Sequence, residues 1–400
     1  MDLRSGQPFW PLKNGLLVSY PILKQALTCE VAIIGAGITG AMVAYSLSAA
    51  GVDCVVLDKR DAGFGSTSAS TALLQYEIDI PLHELMEQIG EERAVRSYLA
   101  CREALYLIEQ LVGALDDDCG FAWKPSLYVA SSEKDVEALK KEFVLRHASG
   151  IKLAFLTQEE IEALYSFSRP AALLSQEAAQ VDAYRLTHRL LQKASEQGTC
   201  IFDRTEVTQY EATPDGVRLT TDRGCEVWAK RVVFATGYES QQFLQQPIVD
   251  LKSTYALVSE PLTEFTGWYE RSLIWETARP YFYLRTTEDD RAIIGGKDDP
   301  FRNPRARDRL IARKSRALQK QFCQMFPAID MDIAYAWAGT FGETKDGLAY
   351  IGESQEFPKG YFALGFGGNG MTYGILAAEI IRDLYLGREN SKCELFGFER

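Results

Sequence analysis

The first residues able to do chemistry are three glycines and a carboxylate. Gly35, Gly37 and Gly40 stand in the order G-x-G-x-x-G inside "VAIIGAGITGAMVAYSL" (31–47), and Asp58 follows about 20 residues on. In such a turn the first glycine permits a tight bend and the second lets backbone approach a pyrophosphate. The third lets a helix lie close on a strand. Ala36, Ile38 and Thr39 complete the turn, and the helix that starts there offers free amides and partial positive charge to phosphate oxygens. A carboxylate at Asp58, beside Lys59, suits hydrogen bonds from ribose hydroxyls and disfavours a 2′-phosphate. The chemistry is dinucleotide binding, with NAD and FAD both open.

Three further stretches bear on that choice. "GFGSTSASTALLQYE" (63–77) sets Ser66, Thr67 and Ser68 after Gly65, which suits a loop wrapping a phosphate or a ring edge. "VVFATGY" (232–238) is a buried-strand pattern running into Thr236 and Gly237, where a chain passes close over a bound molecule. "TKDGLAYIGE" (344–353) contains Gly347, and "ALGFGGNGMTYGILAAEIIRDLYLG" (363–387) opens a helix behind Gly367, Gly368, Asn369 and Gly370. The start of that helix, at Met371 and Thr372, could face the pyrimidine end of a flavin and stabilise its reduced, negative form.

These residues need elements to hold them. Residues 30–34 and 53–57 read as fully apolar strands of the kind a parallel sheet buries, joined by a helix over 38–50. The pattern is helical from 81 to about 119, over 133–148, over 182–197 and over 305–322. Strand texture covers 200–236, and "PYFYLRTT" with "RAIIGG" reads as a hairpin around "TTEDD".

The bulk numbers exclude several classes. A net charge of −12 argues against a phosphate-backbone partner. The one dense basic stretch, "RNPRARDRLIARKSR" (302–316), reads as a solvated helix face. Eight scattered cysteines without a C-x-x-C pair fit reduced, mostly buried thiols, and three histidines lack ligand spacing, so no metal is expected. No signal-like or membrane-spanning layout is present, since the glycines of 361–378 mark a buried strand–turn–helix; a cytoplasmic location is expected.

In their order along the chain, the segments at 31–47, 63–77, 232–238 and 363–387 resemble the FAD-dependent D-amino-acid oxidase superfamily. The likeness extends to the "FW" pair Phe9-Trp10. The resemblance implies an α/β fold with an α+β substrate part: a Rossmann-type FAD-binding domain and an inserted domain built on a mixed or antiparallel sheet. We divide the chain accordingly, with 1–80, 170–250 and 331–400 for FAD and 81–169 and 251–330 for substrate. By position, Gly35, Gly37, Gly40 and Asp58 would hold the ADP part. Val207 would meet adenine by its backbone, Ser66 to Ser68 the pyrophosphate or flavin, and Gly367 to Thr372 the pyrimidine ring. Some relatives attach FAD covalently, but "AGTFGETKDG" has no cysteine and "GSTSASTALLQYE" no histidine, so the expectation is non-covalent FAD.

The implied reaction is hydride transfer from a carbon bearing an amine, giving an imine that water hydrolyses. Dioxygen or another carrier would be the final acceptor. A flavin-binding protein without this activity and an NAD-dependent dehydrogenase are the alternatives. If the substrate carries a carboxylate, a guanidinium fork matches its two oxygens. Alternation puts Tyr281, Tyr283 and Arg285 on one strand face, with Arg279 just upstream. Arg285 is expected as the clamp, with Lys297, Gln75 and Tyr76 as further pocket residues.

Overall fold

The computed structural model describes residues 2–244 and 248–400. Two sheets organise them. The smaller has eight strands, of which five run parallel in the order Phe357–Leu364, Glu226–Phe234, Leu27–Ile34, Cys54–Leu57 and Cys200–Phe202. All four residues of "CVVL" (54–57) are buried, as a parallel strand covered on both faces requires. Helix Ile38–Ala49 lies on this sheet and is covered in turn by helices Gly370–Tyr385 and Ala183–Glu196.

The larger sheet has ten strands and is mostly antiparallel. In it Asp250–Ser259 is flanked by Ile333–Glu343 and Ala292–Pro300, and the expected hairpin pairs Phe282–Thr286 with Ala292–Pro300. Sheet membership cuts across the sequence-based division of the chain. Strands Ala171–Gln180 and Ile333–Glu343, assigned by position to the FAD side, belong to the larger sheet, as do Arg4–Gly6 and Leu73–Gln75. Conversely, helix Glu91–Gly113, assigned to the substrate side, packs on helix Gly370–Tyr385. Pairing between strands far apart in sequence decides membership, so composition along the chain does not reveal it.

The long helical pattern after residue 81 divides into Leu82–Ile89 and Glu91–Gly113 at Gly90, whose φ of 87° ends the first helix. The basic stretch also differs from expectation. Arg307 is 1 % exposed and donates to the Asp2 carbonyl and to Thr340 Oγ1 at 3.0 and 2.9 Å. No described helix is long and apolar enough to cross a membrane.

Two more buried arginines fix the fold. The Arg285 guanidinium donates to the carbonyls of Thr286, Ala72 and Val181 at 3.0, 2.5 and 2.9 Å, and lies 5.4 Å from the Trp10 ring. Burial lowers its pKa to about 9, which leaves it charged at neutral pH. Its face of the strand is the expected one, but the Phe9-Trp10 element covers it. Arg146, also buried, donates to Glu142 Oε2 at 2.7 Å within 6.0 Å of the rings of Tyr76, Tyr98 and Tyr128. Glu142 in turn accepts from the His83 amide and meets His83 Nδ1 at 2.8 and 2.7 Å.

Replacing Arg285 by Met orphans three carbonyls, so a loss of roughly 2–4 kcal/mol in urea unfolding is expected. A change below about 0.5 kcal/mol would remove this structural role. Burial alone would raise the Glu142 carboxyl, but Arg146 and His83 hold it down to about 2. Its stabilisation is complete above the ordinary carboxyl value of 4.5 and is lost as pH falls from there through about 2. Glu142→Gln should destabilise by about 3 kcal/mol at pH 7, with the gap to wild type closing in acid. A gap independent of pH would contradict the assignment.

Candidate functional site

A long cleft runs between the two sheets, and both glycine clusters open onto it. At one end Gly35, Gly37, Ile38 and Thr39 line it from the start of helix Ile38–Ala49. Gly37 caps that helix without any side-chain hydrogen bond, so its amide end is offered to the cleft, apart from Ile38 N–H, which donates to Thr67 Oγ1 at 3.0 Å. Gly40 lies behind the wall. A Cβ there would stand 1.8 Å from the Gly35 carbonyl oxygen, and one at Gly37 would stand 3.1 Å from Thr67 Oγ1. The helix and loop therefore seat only because these positions carry no side chain.

Asp58 and Lys59 line the same end, with Val207, Thr236 and Gly237. Asp58 Oδ2 accepts from Ala36 N–H at 2.7 Å and Oδ1 from Arg60 N–H at 2.8 Å, so Ala36 acts behind the wall. Burial raises the Asp58 carboxyl. Lys59 and Arg60 each reach the buried Glu239 carboxylate at 3.0 Å. Gly65, Ser66 and Thr67 line the middle. Ser66 Oγ is buried without a hydrogen-bond partner among the described residues, a donor poised for a phosphate or ring atom. Ser68 is turned away and donates to the Gly65 carbonyl at 2.9 Å.

The other end is formed by Gly367, Gly368, Asn369, Gly370 and Met371. Gly368 N–H donates to Asp79 Oδ2 at 3.0 Å and Asn369 Nδ2 to the Glu77 carbonyl at 2.8 Å, which ties this loop to the segment after the serine loop. A Cβ at Gly367 would meet Asp79 Oδ2 at 2.2 Å. Thr372 supports from behind, its Oγ1 3.1 Å from the Gln75 carbonyl. Gly347 lies outside this cleft, in the wall of an adjoining cavity. The residues present fit an extended dinucleotide: two uncapped helix starts, a side-chain-free path and an orphan hydroxyl along one groove.

The facing wall comes from the larger sheet: Gln75, Thr254, Trp275, Tyr281, Tyr283 and Asp298. Tyr283 lies across Gly295 of the neighbouring strand, where a Cβ would be 2.3 Å from its Cζ. The Tyr281 and Tyr283 rings are 5.7 Å apart. Burial, then Asp298, pushes the Tyr283 phenol up to about 12, and burial, then Asp79, raises Tyr281 well above its usual value. Both are neutral hydrogen-bonding groups. Burial pushes Asp298 up to about 7, and does the same to Glu77.

Of the expected substrate residues, Tyr281, Tyr283 and Gln75 reach the cleft, whereas Arg285, Lys297 and Tyr76 do not. Arg285 is consumed by backbone carbonyls under Trp10. Tyr76 is buried against Tyr98. At Lys297 a register shift against Ser253–Tyr255 and a φ of 59° break the alternation of the strand. The next residue, Asp298, lines the cleft in place of Lys297. Asp79, Thr254 and Trp275 were also missed; no spacing signal marks them, because they meet only across the sheet. No cysteine or histidine is among the described residues lining the cleft.

Comparison with known proteins agrees with this geometry. Glycine oxidase of Geobacillus kaustophilus is 24% identical over 90% of this chain and 94% of its own. Gamma-glutamylputrescine oxidoreductase of Escherichia coli is 27% identical over 92% and 86%. The crystal structure of the Geobacillus glycine oxidase superposes with a TM-score of 0.76 at 22% identity, covering 94% of this chain and 99% of that one. An L-amino acid deaminase from Proteus vulgaris gives 0.78 at 15%, over 96% and 100%. The model of the FAD dependent oxidoreductase (DAO) family matches residues 30–384, and the chain belongs to that family of FAD-dependent oxidoreductases of the amino-acid and amine oxidase type.

Proposed function

We propose that the protein oxidises the carbon–nitrogen bond of a small amine or amino acid with non-covalently held FAD. The observation that carries this reading is that both uncapped helix starts and the Tyr281–Tyr283 wall line one cleft. Relatives whose names specify glycine and gamma-glutamylputrescine support an amine substrate. The lack of cysteine or histidine among the described lining residues supports non-covalent binding. Eight free thiols support the cytoplasmic location. An NAD-dependent dehydrogenase is set aside by family membership.

FAD supplies a two-electron acceptor for the hydride leaving the carbon beside nitrogen, while nitrogen loses a proton and water converts the resulting imine to a carbonyl compound and ammonia or a smaller amine. The amide ends at Gly37 and Asn369 hold negative charge at the two ends of the cleft. Tyr281, Tyr283 and Trp275 give the substrate side apolar walls that exclude water. Their phenols stay protonated, so they orient a substrate and do not act as bases.

Purified protein should be yellow, and Gly37→Val should reduce flavin content at least about tenfold by filling the pyrophosphate path. Retention of full flavin by that variant would misplace the cofactor. Anaerobic mixing of the flavin-loaded protein with a panel of amines and amino acids should bleach the 450 nm band with at least one of them. A panel-wide failure with bound FAD intact would leave a flavin protein without this activity.

A further inference from the structure

A second cavity of about 710 Å³ adjoins the cleft, and the two share Asp79, Tyr281 and Asp298 as their common wall. Neither Asp79 nor Asp298 forms an ion pair among the described residues. Among the described residues the Asp79 carboxylate accepts only from neutral donors, Tyr281 Oη at 3.3 Å and Gly368 N–H at 3.0 Å. The nearby cations are already engaged. Lys314 pairs with Asp299 at 2.6 Å, Lys252 with Glu343 at 3.6 Å, and Arg146 with Glu142 at 2.7 Å.

Inside the cleft a third acid, Glu77, has a cation at one oxygen only, with Arg146 Nη1 3.5 Å from its Oε1. Glu77 lines the cleft, is 5% exposed, and its Oε2 is buried with no hydrogen-bond partner among the described residues. The one arginine at the junction, Arg279, is exposed; it donates to the Asp79 carbonyl at 3.1 Å and lies 4.8 Å over the Tyr281 ring. A half-buried carboxylate without a cation is costly and is relieved by an incoming ammonium, which the face of Tyr283 also favours. An anionic group at the same place meets like charge.

Resting on the amine-oxidation reading, we infer that the substrate is a diamine or polyamine. Its remote ammonium sits between Asp79 and Asp298 at Tyr281, its chain extends through the junction of the two cavities, and its reacting carbon carries no carboxylate. The geometry selects against α-amino acids, because the guanidinium expected to clamp a carboxylate, Arg285, is sealed in the fold.

The test varies only the charge of the tail. Flavin-loaded protein is mixed anaerobically with 1,3-diaminopropane to 1,6-diaminohexane, with the n-alkylamines of matching length, and with the ω-amino acids of matching length; α-amino acids form a fourth arm. The apparent second-order bleaching rate should follow diamine, then alkylamine, then ω-amino acid, with at least about tenfold between the first two. Asp298→Asn should compress the diamine-to-alkylamine ratio about tenfold, and Asp79→Asn provides a second variant, each checked for unchanged flavin content. Equal rates for diamine and alkylamine would overturn the inference. So would faster bleaching by an amino acid that Arg279→Met abolishes, since the site would then recognise a carboxylate. If no member of any arm bleaches a fully bound flavin, the amine-oxidation reading falls, and this inference with it.

Discussion

The close approach of two backbones, at Gly35 and Gly40, is the constraint from which the site follows. Only a residue without a Cβ can bring the helix so near the strand end, since a Cβ at Gly40 would stand 1.8 Å from the Gly35 carbonyl oxygen. That seating aims the helix start into the cleft. It also sets helix Ile38–Ala49 where Gly374 of the C-terminal helix can rest against it, with a Cβ there 3.3 Å from Met42 Sδ and 3.4 Å from Thr39 Oγ1. The two glycine-rich loops are neighbours because two helices touch, and the helices touch closely where Gly374 offers no side chain to Thr39 and Met42.

Buried charge completes the frame. Arg146, Arg285 and Arg307 are each no more than 2 % exposed, and each is spent on carbonyls, hydroxyls or a carboxylate of the fold. Such groups hold segments in register more than they add net stability, since desolvating a guanidinium offsets much of what its hydrogen bonds return. Arg285 ties the strand Phe282–Thr286 to Ala72 and Val181, while Arg146 ties helix Val136–Ala148 to the tyrosines beneath it. With these three arginines committed to architecture, carboxylates line the side of the cleft that the larger sheet walls.

Much of this was legible in the residues. The strand–turn–helix at 27–49, the acid at Asp58 and the hairpin around 282–296 are local patterns, and the structure holds them within a few residues of expectation. The serine loop and the closing glycine cluster were expected as cofactor contacts, because few other purposes explain missing side chains at a helix start, and both line the cleft that the first glycine turn opens onto. Illegible were the strands Ala171–Gln180 and Ile333–Glu343, whose edges are satisfied only by partners far along the chain. Asp79 was illegible as well, since a Gly368 amide nearly three hundred positions away defines its place.

By itself the sequence determined which cofactor class the chain accommodates, because a glycine turn, an acid and a second glycine turn act through backbone geometry that short segments dictate. Tertiary structure alone decided what faces that cofactor. One register shift beside Lys297 delivers Asp298 to the cleft, and one indole from the N-terminus seals Arg285 away from it. Side-chain alternation is a local rule, whereas bulges and coverings arise from contacts between distant segments, and those contacts set the charge of the cleft wall that the larger sheet supplies.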